Sequence, residues 1–97
     1  MSEHRYALGV IGTGHIAAVI IKRLIESGYL AGDRIIASRS RKLEAHPVEV
    51  QIADDNRKVV QKARAIMISV TPQKFVEAGA SIREAVTADH LFISVMA

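Results

Sequence analysis

Tyr6-Ala7-Leu8-Gly9-Val10-Ile11-Gly12-Thr13-Gly14-His15-Ile16-Ala17 is the stretch on which the reading of the fold turns. It opens with an apolar run of strand length, Tyr6 to Ile11, which leads straight into Gly12-Thr13-Gly14. Beyond the glycines, Ile16, Ala17, Ile20, Ile21, Leu24 and Ile25 recur at the spacing of one buried helix face. Lys22, Arg23 and Glu26 fall on the opposite face. Ser27-Gly28 then supplies a stop, because glycine accepts the left-handed conformation common just past a helix end. A strand therefore feeds a helix through a glycine turn.

The same alternation continues along the chain. Arg34-Ile35-Ile36-Ala37-Ser38 reads as a second strand, and Val48 to Ile52 alternates apolar and polar residues as an edge strand does. Only a turn or so of helix fits between them, before Pro47. Asn56 is the expected N-cap of a short helix carrying Val59, Val60 and Ala63. Ala65 to Val70 follows as a buried strand. Thr71-Pro72 caps and opens a further helix with Phe75, Val76, Gly79, Ile82 and Val86 expected on its inner face, and Leu91 to Met96 is a fifth strand. Alternating strands and helices predict an α/β fold, and right-handed crossovers give the strand order 3-2-1-4-5. The expectation is a doubly wound, Rossmann-like parallel sheet forming a single domain over 1–97, with its ligand at the carboxyl ends of strands one and four.

Gly12-Thr13-Gly14-His15-Ile16-Ala17 has the form G-x-G-x-x-A, and each small residue has a task. Gly12 permits the tight turn, Gly14 lets the backbone approach a pyrophosphate, and Ala17 lets the helix pack closely on the sheet. Free amides at the helix start and the positive end of the helix dipole stabilise phosphate charge. The second strand ends about two dozen residues further on, where an NAD-selective domain places a carboxylate. Here stands Ser38-Arg39-Ser40-Arg41-Lys42. Arg39 can fork onto a 2′-phosphate while Ser38 and Ser40 hydroxyls donate to it, so NADP(H) is the expected cofactor, with NAD(H) as the alternative. Arg41 and Lys42 read equally well as a solvated basic loop.

Composition narrows the classes. The chain has 97 residues, 49% of them hydrophobic, enough for one modest core. Without cysteine there is no disulfide framework and no thiolate metal site, and a reducing compartment, the cytoplasm, is the expectation. A polar Met1 to Tyr6 and the interrupting glycines give no signal peptide or membrane span. A net charge of +3 permits an anionic partner. Aromatic content of 4% with no tryptophan leaves few stacking platforms, so a nucleic-acid partner is not expected.

Several stretches together resemble the N-terminal coenzyme domain of the pyrroline-5-carboxylate reductase family. They are Ile11 to Ala17, Ala37-Ser38-Arg39-Ser40, Asp55-Asn56 with Val59-Val60, Ser69-Val70-Thr71-Pro72-Gln73, and Ile93-Ser94-Val95-Met96-Ala97. The resemblance implies proline biosynthesis by hydride transfer from NAD(P)H to a cyclic imine. It implies pyrophosphate at Gly12, Thr13, Gly14, His15, Ile16 and Ala17, and adenosine phosphate at Ser38, Arg39 and Ser40. Asn56 would meet the adenosine ribose, and Val70, Thr71 and Pro72 the nicotinamide side. Two positions depart from the family: His15 stands for its usual asparagine and Thr71 for its common lysine. The family's helical C-terminal domain, which forms the dimer and most of the substrate site, has no counterpart after Ala97. The chain is thus expected to be a truncated domain, inactive alone and oligomeric only together with that domain. Catalytic residues are not assigned.

Other features read as structure. His4, His15, His46 and His90 lack the spacing of a metal motif and suit surface positions or helix ends, with a possible phosphate role only for His15 in the turn. Asp54 and Asp55 precede a helix start, where negative charge is favourable. Met67 and Met96 sit in apolar strands as core residues. Two rival readings are another NADP-dependent reductase, for instance of a hydroxy acid, and a non-catalytic nucleotide-sensing module.

Overall fold

A computed structural model describes residues 5–12, 15–38 and 50–95. Strands β1 (Tyr6–Ile11), β2 (Ile35–Ser38), β3 (Gln51–Ala53), β4 (Ala63–Ile68) and β5 (Leu91–Ser94) form one sheet in the order β3-β2-β1-β4-β5, every pairing parallel. Three helices are described: α1 (His15–Glu26), α2 (Asn56–Lys62) and α3 (Pro72–Ile82). The expected strand order is the one found. Parallel neighbours cannot be joined by a tight turn, and α1, α2 and α3 occupy the connections from β1 to β2, β3 to β4 and β4 to β5, covering the sheet.

Each face of the sheet has its own core. Leu8, Val10, Ile35, Ala37 and Met67 meet Ala17 and Ile21 of α1. On the other face Ile11, Ile36, Ile66 and Ile68 meet Val59 and Val60 of α2 and Ala78 and Ile82 of α3. Alternation along β1 divides its residues between the two. Gly9 belongs to the α2 face: a Cβ there would lie 2.6 Å from Val59 Cγ1 and 2.8 Å from Ala63 Cβ. Glycine at this position therefore lets α2 approach the central strand closely.

The end of α1 follows the reading of Ser27-Gly28. Gly28 has φ +81, its amide donates to the Ile25 carbonyl, and the Tyr29 amide donates to that of Leu24. These are the paired bonds of a Schellman motif.

Several boundaries differ from expectation. Strand β2 starts at Ile35 because Arg34 closes a 3-10 turn, Gly32–Arg34. Strand β3 is Gln51–Ala53; the expected start at Val48 lies outside the described residues. Strand β4 runs two residues earlier than its apolar run suggested, since Ala63 leaves α2 directly to pair with Tyr6. Val70 consequently lies beyond the strand. Strand β5 ends at Ser94, and Met96 is outside the described residues.

Two helix faces are corrected as well. Ile16 is 43% exposed while Ala17, Ala18 and Ile21 are buried, so the buried stripe of α1 is centred one 100° step away from Ile16. In α3 the inner residues are Ala78 and Ile82; Phe75 and Val76 are exposed, and Val86 falls past the helix. Small Ala78 fits where α3 lies over the sheet, and the larger apolar neighbours are turned outward.

The cap of α2 is Asp55, not Asn56. The Asp55 carboxylate accepts from the Lys58 amide at 2.9 Å, and Asn56 is the first helical residue. Asp55→Ala is expected to cost about 1 kcal/mol in urea unfolding, the usual loss for a removed N-cap. Asn56→Ala, leaving the cap intact, should cost clearly less.

His90 anchors the entry to β5. Its Nδ1 accepts from the Thr87 amide at 2.9 Å, which puts the ring proton on Nε2, 2.7 Å from the Val60 carbonyl that accepts it. The residue is partly buried, and its bond ties the β5 approach to the last turn of α2. Met67 is a core residue, as expected.

Candidate nucleotide-binding cleft

The carboxyl ends of β1, β2 and β4 converge on one cleft. At the end of β1, Gly12 turns with φ +72, a left-handed value that favours glycine. A Cβ on Gly12 would lie 2.8 Å from the Ser69 carbonyl oxygen, and closer still to Val70 Cγ1. Those residues are held there because the Ser69 amide donates to the Ile11 carbonyl at 2.9 Å, continuing the β1–β4 ladder one step past β4. The Gly12 amide donates to Ser38 Oγ at 3.1 Å, tying the turn to the end of β2. Ser38 is buried, so its oxygen first fixes the turn.

These strand ends border a cleft of about 430 Å³, within the range of small-molecule sites. Ile11, Gly12, Ser38 and Val70 line its base, Asp54, Asp55 and Asn56 the side formed at the start of α2, and Lys74, Glu77, Ala78 and Ser81 the side formed by α3. It opens where β1 and β4 leave the sheet on opposite sides, the switch point at which ligands of open α/β sheets bind. Three carboxylates face one ammonium on the described wall. Such a wall suits a neutral sugar or base better than a phosphate, and positive charge for a phosphate has to come from elsewhere.

The expected site residues divide into four groups. Gly12, Ser38, Asn56 and Val70 come together in the cleft. His15, Ile16 and Ala17 form the first turn of α1, with Ala17 fully buried against the sheet and Ile16 exposed. Thr71 is the N-cap of α3 and Pro72 its first residue; among the described contacts the Thr71 side chain makes no capping bond. Thr13, Gly14, Arg39 and Ser40 lie outside the described residues, as do Arg41 and Lys42. Sequence reading missed Lys74, Glu77 and Ser81. Their recurrence at helical spacing on α3 was the available signal, a polar stripe beside the Ala78–Ile82 core face. Among the described residues no group of three His, Asp or Glu side chains could hold a metal ion, and no helix is long and apolar enough to cross a membrane.

A glycine turn between β1 and α1, opening on the switch point of a five-stranded parallel sheet, defines a dinucleotide-binding domain of the Rossmann class. The chain belongs to the family described as NADP oxidoreductase, coenzyme F420-dependent, whose model matches residues 7–97. It is 30% identical to a pyrroline-5-carboxylate reductase of Pisum sativum over 95 residues, which cover 95% of this chain and 35% of the relative. It is 28% identical to pyrroline-5-carboxylate reductase 2 of Dictyostelium discoideum over 93 residues, 92% of this chain and 31% of that one. Among solved structures, the Plasmodium falciparum pyrroline carboxylate reductase with NADP bound superposes with a TM-score of 0.81 at 14% identity, over 98% of this chain and 35% of that chain. A pyrroline-5-carboxylate reductase from Coxiella burnetii gives 0.81 at 23% identity, over 96% of this chain and 36% of its own. The chain thus spans 31% to 36% of the length of these relatives.

Proposed function

We propose that this chain is the coenzyme-binding domain of a pyrroline-5-carboxylate reductase-like oxidoreductase, holding NADP(H) across the carboxyl ends of β1, β2 and β4. The carrying observation is the Gly12 turn, bonded to Ser38 and opening on a cleft at the switch point. The residues present fit the cofactor. The amino end of α1 offers amides and dipole to pyrophosphate, and the Asn56 wall offers a hydrogen-bonding surface to a sugar. Arg39 and Ser40 bind the 2′-phosphate, since the described wall has only Lys74 to set against Asp54, Asp55 and Glu77. Val70 and the Thr71-Pro72 start of α3 border the nicotinamide end.

When bound, the nicotinamide supplies the hydride for reduction of a cyclic imine; the chain's own residues bind and orient it. Residues 1–97 make up this one domain, and the substrate half and oligomer contacts come from additional polypeptide. Supporting that division, Leu91 and Ile93 of β5 are 61% and 43% exposed, an apolar edge of the kind further structure covers.

Calorimetric titration with NADPH, NADH and a 2′-phosphate-bearing adenosine fragment tests the reading. Arg39→Ala is expected to weaken NADPH and the fragment by about tenfold or more while leaving NADH nearly unchanged, as for a lost charge-assisted bond. Failure of the wild-type chain to bind any of the three would overturn the assignment.

A further inference from the structure

We propose that Ser81 is a positioning residue: it orients the Asn56 amide so that a carbonyl oxygen, not an amino group, meets a sugar hydroxyl in the cleft. The inference rests on reading the cleft as a nucleotide site, and both residues line it. Ser81 has one hydroxyl proton, and it is donated to the Ala78 carbonyl of its own helix at 2.6 Å. Towards any other neighbour Ser81 Oγ can therefore only accept. Asn56 Nδ2 donates to it at 3.2 Å, a bond joining the two helices that wall the cleft. With the amide turned the other way, two acceptors would face one another, so the arrangement has one sense.

That sense selects the ligand group. With Nδ2 held by Ser81, Oδ1 is the acceptor the amide has left to offer, in a cleft that Asp54, Asp55 and Glu77 also line. An acceptor among carboxylates suits a hydroxyl donor and disfavours a phosphate. This end of the cleft accordingly takes a ribose hydroxyl, a group that NADPH and NADH share. The Ser81 effect should then be indifferent to the 2′-phosphate, in contrast to that of Arg39.

The test compares wild type, Ser81→Ala and Ser81→Thr by calorimetric titration with NADPH and with NADH. It adds the Asn56 side-chain amide resonances of the ligand-free protein in ¹⁵N-labelled samples. Expected are about three- to tenfold weaker binding of both dinucleotides by Ser81→Ala, by the same factor for each, from one lost hydrogen bond. The Asn56 amide resonances should move in that variant, and Ser81→Thr, which keeps the hydroxyl, should restore both readouts to within about twofold of wild-type affinity. Wild-type affinity in Ser81→Ala, unmoved Asn56 resonances, or no rescue by threonine would each overturn the positioning role while leaving the cleft assignment standing. A wild-type chain that binds neither dinucleotide would overturn both.

Discussion

Gly12→Ala is expected to lower the unfolding free energy by about 3 kcal/mol and to weaken NADPH by more than about tenfold. Two costs combine. An alanine in the left-handed region costs about 1–2 kcal/mol, and forcing a methyl into packed surroundings about 1–3 kcal/mol. At Gly12 the methyl would meet a backbone oxygen, Ser69 O, at 2.8 Å, and that oxygen's residue is pinned by the ladder bond to Ile11. The Val70 side chain on the same side can rotate, but the backbone cannot move without opening the β1–β4 junction. Relief would come from displacing the turn, which would break the Gly12 bond to Ser38 and shift the start of α1 that follows it. Gly28 marks the contrast, for it too has positive φ but open space around the missing Cβ, so only conformation is at stake there. Thermal unfolding and NADPH titration of the same samples check both halves; a loss of about 3 kcal/mol corresponds to a midpoint lowered by about 12 °C or more in a domain of this size. A variant as stable as wild type would show that the turn has another conformation.

Gly9→Ala carries the second large effect, about 2 kcal/mol of destabilisation, the middle of the range for overpacking. Nothing in the strand conformation of Gly9 forbids alanine. The obstacle is the junction of α2 and β4: the new methyl would lie 2.6 Å from Val59 Cγ1 in α2, and 2.8 Å from Ala63 Cβ and 3.1 Å from Ile66 Cδ1 in β4. Val59 is fully buried and stiff at χ1, and the Ala63 Cβ moves only with its backbone. The helix must therefore lift from the sheet, carrying Asp55 and Asn56 with it. Ala63→Gly introduced beside Gly9→Ala should recover part of the loss in urea unfolding, because it removes one of the two closest contacts. Equal stability of the single and double variants would mean that Ala63 is not the obstruction.

How much of this was legible beforehand differs from element to element. The strand β1, the glycine turn, the helix after it and the Gly28 stop follow from local chemistry, and they were readable as such. The polar side of the cleft was not. Asn56 suits an N-cap by residue type, yet Asp55 stands one residue earlier and its carboxylate reaches the Lys58 amide. The face of α3 was misjudged because Phe75 and Val76 are the larger apolar residues, whereas packing accepted Ala78. His90 gave no sign of its bond to Val60, thirty positions away.

By itself the sequence determined the alternation of strands and helices, the strand order, and the place where the chain reverses through glycine, because these depend on periodicity, crossover handedness and backbone freedom within short stretches. Tertiary structure alone decided why Gly9 must be glycine, which side of α3 faces inward, and that Ser81 meets Asn56. Each of those depends on the distance between segments remote in the chain, and in a close-packed interior that distance is fixed by the volumes of all the side chains between them.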